Sequence, residues 1–206
     1  MVEKKSSRRH WSHDVHKLFK RIGIQQVAYV PDGGLAKLIK CCQTDQSMRT
    51  VVLTTEEEGV AQMAGAWLGG QRGVLLTQSG GVGNCINMLS MMQECRIPLL
   101  SLVSMRGEWG ETFPWQVPMG QSTIPALEAA KVIVHRVDEP GEIFEAVNAA
   151  AKLAFDANRA VSVIISQRIS NLDFSILILS ILFNSLFSTK LFFIFYWFFF
   201  SFMKYI

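Results

Sequence analysis

Cysteine is scarce in this sequence, and its spacing argues against a disulfide framework. The four cysteines, Cys41, Cys42, Cys85 and Cys95, contain no C-x-x-C pair, and no apolar leader opens the chain. We therefore expect a reducing compartment in which the cysteines are small core residues. Histidines recur at positions 10, 13 and 16, but no complete tetrahedral ligand set accompanies them, so no metal site is expected.

A strong excess of one charge is also missing. The chain has 20 basic and 17 acidic residues, a net charge of +3, and much of the positive charge lies in the first 21 residues. No aromatic stack is interleaved with these basic side chains, so a nucleic acid is not expected as a partner. We interpret residues 1–10 as a solvated basic arm.

Glycine, alanine, valine and proline are absent from residues 170–206, which hold ten of the 14 phenylalanines. The stretch 174–203 is long and apolar enough to be a transmembrane segment, although Lys190 interrupts it. Alternatively, the tail is translated noncoding sequence, because only Asp173 requires a codon that begins with guanine. We prefer the second interpretation. Under either one the tail lies outside the folded domain, and a membrane is a partner only if the tail is genuinely expressed.

Apolar runs alternate with segments of helical spacing through the rest of the chain. Strands that are apolar almost throughout are typical of parallel sheets buried on both faces. The alternation predicts an α/β fold within residues 11–169, with a doubly wound, mainly parallel six-stranded sheet and right-handed crossovers. The predicted strands are 26–32, 49–55, 73–79, 98–104, 131–137 and 160–166, and the predicted helices are 33–45, 56–71, 82–95, 122–130 and 140–157.

Unusual residues follow four of these strands, and in a doubly wound sheet ligands bind at the carboxyl ends of the strands. The four loops contain residues 31–34, 56–58, 78–84 and 106–121. The glycine loop at 80–83 matches neither a P-loop nor a dinucleotide fingerprint, and a tight turn before a helix would also use it. Acidic residues likewise favour any helix N-terminus. The convergence of the four loops is therefore stronger evidence for a site than any one of them.

Together these loops carry a resemblance to a known family. The segments VPDGG, TTEEEGVAQMAGAWLGGQRGVLLTQSGGVGNCINML and MRGEWGETFPWQVPMGQ resemble the pyrimidine-binding domain of thiamine-diphosphate enzymes, and more narrowly the alpha subunits of sulfopyruvate decarboxylases and the related phosphonopyruvate decarboxylases. The similarity covers roughly residues 11–168. The resemblance implies that residues 11–169 form a thiamine-diphosphate pyrimidine-binding domain. It also implies that the protein is located in the cytoplasm.

In the family that this chain resembles, one glutamate hydrogen-bonds a ring nitrogen of the cofactor's aminopyrimidine. The cofactor then forms its ylid, which attacks an α-keto acid, and carbon dioxide leaves. Aligning residues 63–67 with the family's small–small–aromatic run selects Glu57 as this catalytic residue, with Glu58 as the alternative. Such a glutamate needs a dry pocket, which its alanine and glycine neighbours and a partner's surface would supply.

The resemblance also implies which residues bind the cofactor and the substrate. Arg106 is the candidate for an anionic head group of the substrate, because a guanidinium binds sulfonate or phosphonate oxygens bidentately; a salt bridge with Glu108 is the alternative. Asn84 is expected to hold the glycine loop, and Gln116 matches a glutamine beside the family's active site. The predicted cofactor-binding residues are Pro31, Asp32, Gly33, Ser79, Gly80, Gly81, Gly83, Asn84 and Gln116.

The other half of these enzymes has a G-D-G motif followed by N-N, which binds the diphosphate through Mg²⁺, and this sequence contains neither. The resemblance therefore implies a beta subunit that supplies that domain, with the active site between subunits. The predicted function is the alpha subunit of a thiamine-diphosphate-dependent decarboxylase (a carboxy-lyase) of a three-carbon anionic α-keto acid such as sulfopyruvate or phosphonopyruvate. The alternatives are a subunit of an acetolactate-synthase-type enzyme and a catalytically silent, membrane-tethered regulatory or binding subunit.

Overall fold

Six parallel strands form the centre of the protein, whose computed structural model describes residues 10–170. Their order across the sheet is β2-β1-β3-β4-β6-β5, and every neighbouring pair is parallel. The predicted doubly wound, six-stranded sheet is confirmed. The strands are β1 (Ile24–Tyr29), β2 (Arg49–Val52), β3 (Arg72–Gln78), β4 (Leu99–Ser104), β5 (Ile133–Val137) and β6 (Ala160–Ile165).

Within residues 10–165, six α-helices cover the two faces of this sheet, and helical backbone also begins at Gln167. The six helices are α1 (Trp11–Arg21), α2 (Ala36–Gln43), α3 (Glu56–Leu68), α4 (Ser79–Glu94), α5 (Val117–Ala129) and α6 (Ile143–Ala157). One buried apolar cluster joins α1, α2 and α6 to the sheet, and a second joins α3, α4 and α5 to it. Alternate residues of β3 serve the two clusters: Val74 and Leu76 the first, Leu75 the second. Both faces are thus covered, and β4 and β6 are buried along their whole length.

The first helix shows how local sequence produces these elements. Its buried residues Trp11, Val15, Leu18 and Phe19 recur at the three- and four-residue spacing of one helix face. The helix is capped at Ile22, and Gly23 follows with a φ of +74°. That left-handed conformation costs glycine little, so the chain can reverse there into β1.

Two element boundaries differ from the prediction in a way that shapes the site. β2 ends at Val52 rather than at residue 55, and α4 begins at Ser79 rather than at residue 82. Glycines 80, 81 and 83 therefore lie in the first turns of a helix and not in a loop before it. Glycine inside a helix is unfavourable by about 1 kcal/mol relative to alanine, so a further requirement must keep glycine at some of these positions.

The order of the strands brings the four unusual loops to one edge of the sheet. The chain runs from β1 outwards to β2 and then returns across β1 to β3, so the direction of winding reverses between β1 and β3. A reversal of this kind opens a crevice at the carboxyl ends of the two strands, where ligands bind in doubly wound folds. The segments after β1, β2, β3 and β4 surround this crevice.

Among residues 10–170, no helix has both the length and the apolar character that are needed to span a bilayer. Residues 1–9 of the predicted basic arm (1–10) and residues 171–206 of the predicted apolar tail (170–206) lie outside the described residues.

Candidate active site

The three glutamates at the start of α3 have different surroundings. Glu56 is only 5 % exposed, whereas Glu57 and Glu58 are exposed. The side chain of Glu58 turns back to the helix N-terminus, where its Oε2 accepts a hydrogen bond from Thr54 N at 3.0 Å. The prediction placed Glu57, or Glu58 as the alternative, in a pocket of small residues. In the described residues of the chain alone, the glutamate that is buried is Glu56, and the role of Glu57 or Glu58 stays a prediction.

Helix geometry explains which glutamate is buried. The buried residues of α3 are Glu56, Gly59, Val60, Met63 and Ala64, and this spacing of three and four residues defines one face of the helix. Glu57 lies about 100° round the helix from Glu56, on the side that solvent reaches. This stripe is already visible in the sequence and points to Glu56. The alignment on the small–small–aromatic run did not use it.

Glu56 contacts the first two turns of α4. Asn84 Nδ2 donates a hydrogen bond to Glu56 Oε2 at 2.9 Å. A Cβ built on Gly81 would overlap both the Glu56 carboxylate and the Thr77 hydroxyl. The close approach of α3 and α4 therefore requires glycine at position 81. Asn84 was predicted to hold the glycine loop, and in the structure its side chain holds the glutamate.

The cysteines are divided between the core and the surface. Cys42 and Cys85 are buried, as predicted, but Cys41 is partly exposed and Cys95 is exposed. Cys85 lies beside the contact between α3 and α4, and its Sγ donates to Gly81 O at 3.4 Å. Burial raises the pKa of Cys85 to about 12, and the nearby carboxylates of Glu56 and Glu57 add to this increase. Cys85 is therefore a protonated core residue at neutral pH.

Ser79 ties α4 to the segment that follows β4. It is fully buried, and its Oγ accepts a hydrogen bond from Arg106 N at 3.0 Å. Gln116 extends from the far end of that segment to α4, because its Oε1 lies 3.9 Å from a Cβ built on Gly80. Gly107 has a φ of +75°, and a Cβ there would overlap the Gln116 carbonyl. The segment 106–116 is thus folded tightly back on itself and places Arg106 and Gln116 beside the N-terminus of α4.

The loop after β1 packs against β4. Asp32 Oδ2 accepts hydrogen bonds from Ser104 Oγ at 2.6 Å and from Leu35 N at 3.1 Å. Burial raises the pKa of Asp32, although these two hydrogen bonds and the charge of Arg106 oppose the increase. A Cβ on Gly34 would come within 3.0 Å of the Ser104 and Ser170 side chains. The structure therefore brings Asp32 into contact with Ser104 at the end of β4. The hydrogen bonds of Asp32 fix the loop, and Pro31 beside it is exposed.

Arg106 forms an ion pair with Glu111 and not with Glu108. Its Nε lies 3.3 Å from Glu111 Oε2, and its Nη2 lies 3.5 Å from Glu111 Oε1. Glu108 instead pairs with Arg136, so the alternative of an Arg106–Glu108 salt bridge is wrong. Hydrogen bonds to Glu108 and Asp138 raise the pKa of Arg136. Nη1 of Arg106 makes no hydrogen bond within the part of the chain that the structure describes.

Glu111 lies in a cradle of donors. Its carboxylate accepts hydrogen bonds from Gly107 N at 2.9 Å, Phe113 N at 3.0 Å and Gln167 Nε2 at 2.8 Å, besides those from Arg106. Burial alone would raise the pKa of Glu111, but the hydrogen bonds outweigh it and lower the pKa to about 2. The roles of Glu111 and Gln167 are not visible in the sequence, because the contact between them joins residues 56 positions apart and belongs to no motif. Among residues 10–170, no group of three or more metal-binding side chains is assembled.

Comparison with known proteins yields matches over most of the chain. The family model described as "Thiamine pyrophosphate enzyme, N-terminal TPP binding domain" matches residues 9–124. The chain is 31 % identical over 155 residues to the sulfopyruvate decarboxylase subunit alpha of Methanococcus maripaludis, which covers 75 % of this chain and 93 % of that protein. It is 28 % identical over 151 residues to the same subunit of Methanocaldococcus jannaschii, and this match covers 73 % of this chain and 89 % of that protein.

Two further similarities are more distant or more local. A phosphonopyruvate decarboxylase of Streptomyces viridochromogenes is 41 % identical over 91 residues, which are 44 % of this chain and 23 % of that protein. Among solved structures, the 2-oxoglutarate:ferredoxin oxidoreductase of Magnetococcus marinus superposes with a TM-score of 0.63 over 79 % of this chain and 29 % of that chain. At 16 % sequence identity, this last similarity shows a shared fold alone.

Proposed function

The chain belongs to the thiamine pyrophosphate enzymes, as their N-terminal cofactor-binding domain, and on this premise we propose that it is the alpha subunit of a thiamine-diphosphate-dependent decarboxylase. The substrate class that we propose is a three-carbon α-keto acid with a second anionic group, such as sulfopyruvate or phosphonopyruvate. Support comes from the similarity to two sulfopyruvate decarboxylase alpha subunits over about nine-tenths of their lengths.

One observation carries the proposal at the level of the site. Glu56 is buried with its Oε2 fixed by Asn84, while its Oε1 makes no hydrogen bond within residues 10–170. Gly81 provides the space that the Glu56 carboxylate itself occupies, and Gly80, one residue earlier, leaves the adjoining surface of α4 without a side chain. A fixed carboxylate with one open oxygen, beside a bare helix surface, fits the ring nitrogen and the flat face of an aminopyrimidine. We therefore assign the role predicted for Glu57 to Glu56.

Each residue of the site then has a defined task. When bound, thiamine diphosphate supplies the carbanion and the electron sink that release of carbon dioxide from an α-keto acid requires. Glu56 Oε1 would share a proton with a ring nitrogen of the bound cofactor. Asn84 keeps the carboxylate in one orientation. Arg106 presents Nη1 to the second anion of the substrate, and Gln116 borders the site beside Gly80.

The remaining predicted residues have supporting roles in this proposal. Ser79 joins α4 to Arg106, and Gly83 allows Met119 of α5 to approach, since a Cβ there would lie 3.2 Å from the Met119 Sδ. Asp32 holds the loop of Pro31 and Gly33 at the crevice, where that loop borders the cofactor.

The partner of this chain follows from the motifs that it lacks. Without G-D-G and N-N segments, we propose that a beta subunit binds the diphosphate and its Mg²⁺, so that the complete site lies between the subunits. The name "subunit alpha" of the similar proteins supports this arrangement. We propose a cytoplasmic location, with membrane attachment only if residues 174–203 are genuinely expressed.

Calorimetry and a decarboxylation assay test this proposal together. Thiamine diphosphate and Mg²⁺ are titrated into the chain alone and into the chain with its beta subunit. The complex is then supplied with sulfopyruvate, phosphonopyruvate or pyruvate, and carbon dioxide is measured. We expect tight, Mg²⁺-dependent binding by the complex only, and faster release from the two dianionic keto acids. Tight binding by the isolated chain would contradict the division of the site between subunits, and an inactive, cofactor-loaded complex would contradict the decarboxylase.

A further inference from the structure

Gln167 connects the end of β6 to the segment that follows β4. It is 1 % exposed, and its Oε1 accepts hydrogen bonds from Glu108 N at 2.8 Å and from Trp109 N at 2.9 Å. Its Nε2 donates to Glu111 Oε2 at 2.8 Å, and its own N–H donates to Glu108 Oε2 at 3.2 Å. Residues 105–113 contain no helix or strand. Contacts with Gln167 therefore help to hold a segment that has no regular structure of its own.

Glu111 passes this restraint on to Arg106. The Glu111 side chain is 4 % exposed and binds the Nε and Nη2 side of the guanidinium, which leaves the Nη1 end without a hydrogen bond inside the described part of the chain. An arginine held along one edge in this way can still bind a second oxyanion with Nη1 and the remaining N–H of Nη2. Because Glu111 offsets the charge of Arg106, the selection of an anion at this site depends on geometry more than on net charge.

We propose that Gln167 is a positioning residue that acts through Glu111 to hold the Nη1 end of Arg106 towards the second anion of the substrate. The inference rests on the proposed function, since it assigns Arg106 to that anion. An arginine that is already ordered loses less side-chain freedom when it binds a ligand than a free one does. Gln167 thereby contributes to the preference for keto acids with a second anion over those without it.

The test replaces Gln167 by alanine in the full chain, assembled with its beta subunit and thiamine diphosphate. We expect the KM for sulfopyruvate to rise about 5- to 20-fold over the wild type. The kcat for sulfopyruvate and the KM for pyruvate should stay within about twofold of the wild-type values, because only binding of the second anion is lost. Arg136→Ala is the matched control. It releases Glu108 in the same segment but leaves the contacts of Glu111 and Arg106 in place, so both KM values should stay unchanged.

A binding measurement separates this inference from the proposed function. Calorimetric titration with 3-sulfopropanoate, which has both anions but no keto group, is compared with propanoate, which has one anion. Gln167→Ala should weaken binding of 3-sulfopropanoate alone by a similar factor. Equal weakening for both probes, an equal rise of both KM values, or no change would overturn the inference. A wild-type complex that decarboxylates nothing would contradict the proposed function, and the titration would still decide the role of Gln167.

Discussion

Replacing Asn84 by aspartate should destabilise the protein in a pH-dependent way, because it places a second carboxylate against Glu56. Asn84 Nδ2 donates to Glu56 Oε2 across 2.9 Å. Aspartate has nearly the same shape but lacks the N–H, so repulsion replaces the hydrogen bond. Two unit charges about 4 Å apart, at an effective dielectric of about 20, interact by about 4 kcal/mol. Asn84 is exposed on its outer side, and the pair can share one proton, so this figure is an upper limit.

The sign of the pH dependence follows from linkage. Repulsion by Glu56 raises the pKa of the introduced carboxyl in the folded state above its unfolded value of about 3.9. The substitution therefore costs little below that unfolded pKa, and the cost grows as the pH rises through the folded pKa. At pH 8 we expect a loss of about 1–3 kcal/mol, which corresponds to roughly 3–10 °C in Tm.

Thermal unfolding followed by circular dichroism at pH 4, 6 and 8 measures this effect. Asn87→Asp is the matched control, because Asn87 is exposed on the same helix and its side chain makes no hydrogen bond within residues 10–170. The control should lose less than about 0.5 kcal/mol, as surface substitutions commonly do. Equal losses in the two variants, or a loss for Asn84→Asp that does not change with pH, would refute the contact between Asn84 and Glu56.

Three further outcomes are expected from the same region. Gly81→Ala should lower the free energy of unfolding, measured in urea, by about 1–3 kcal/mol, as overpacking does. Gly141→Ala should be neutral, because a Cβ at Gly141 meets nothing within 4 Å. Equal effects of the two substitutions would argue against the close approach of α3 and α4. With a pKa of about 12, buried Cys85 should resist iodoacetamide at pH 8 while exposed Cys95 is alkylated, and mass spectrometry showing equal labelling would contradict this. The pKa of Glu111 is lowered from 4.5 to about 2, so the stability that its carboxylate contributes is present above the unfolded pKa and is lost as the pH falls through 2. The Tm difference between wild type and Glu111→Gln should therefore narrow between pH 6 and pH 2.5. A Tm difference that widens over this range would be inconsistent with the hydrogen bonds to Glu111.

The sheet could be predicted because its signals are local and strong. β4 and β6 are buried throughout, and their apolar runs indicate a parallel sheet without knowledge of any contact. The ends of the helices and strands were harder to predict from the sequence. Gly80, Gly81 and Gly83 resemble a loop in sequence, yet they lie inside α4, and Gly81 is required by Glu56, a side chain 25 residues earlier.

The site shows the same division between local and long-range information. The loop that carries each functional residue was predictable from the order of the strands. The proposal of Glu56 rather than Glu57 or Glu58 rests on which face of α3 is buried, and the stripe of Gly59, Val60 and Met63 already indicates that face in the sequence. The partners of Arg106 did not follow from sequence, because Glu108 and Glu111 are equally plausible by spacing. Gln167, which binds Glu111, follows β6 and lies 56 residues further along the chain.

The most direct test of the central claim compares Glu56→Gln with Glu57→Gln. Each variant is purified as a complex with the beta subunit, and the release of carbon dioxide from sulfopyruvate is measured. Both variants keep the shape of the side chain, and both should assemble as the wild type does in size-exclusion chromatography. We predict that Glu56→Gln lowers kcat by at least about 100-fold, the contribution typical of a positioned acid–base group, while Glu57→Gln stays within about threefold of the wild type. An active Glu56→Gln complex beside an inactive Glu57→Gln complex would contradict the account.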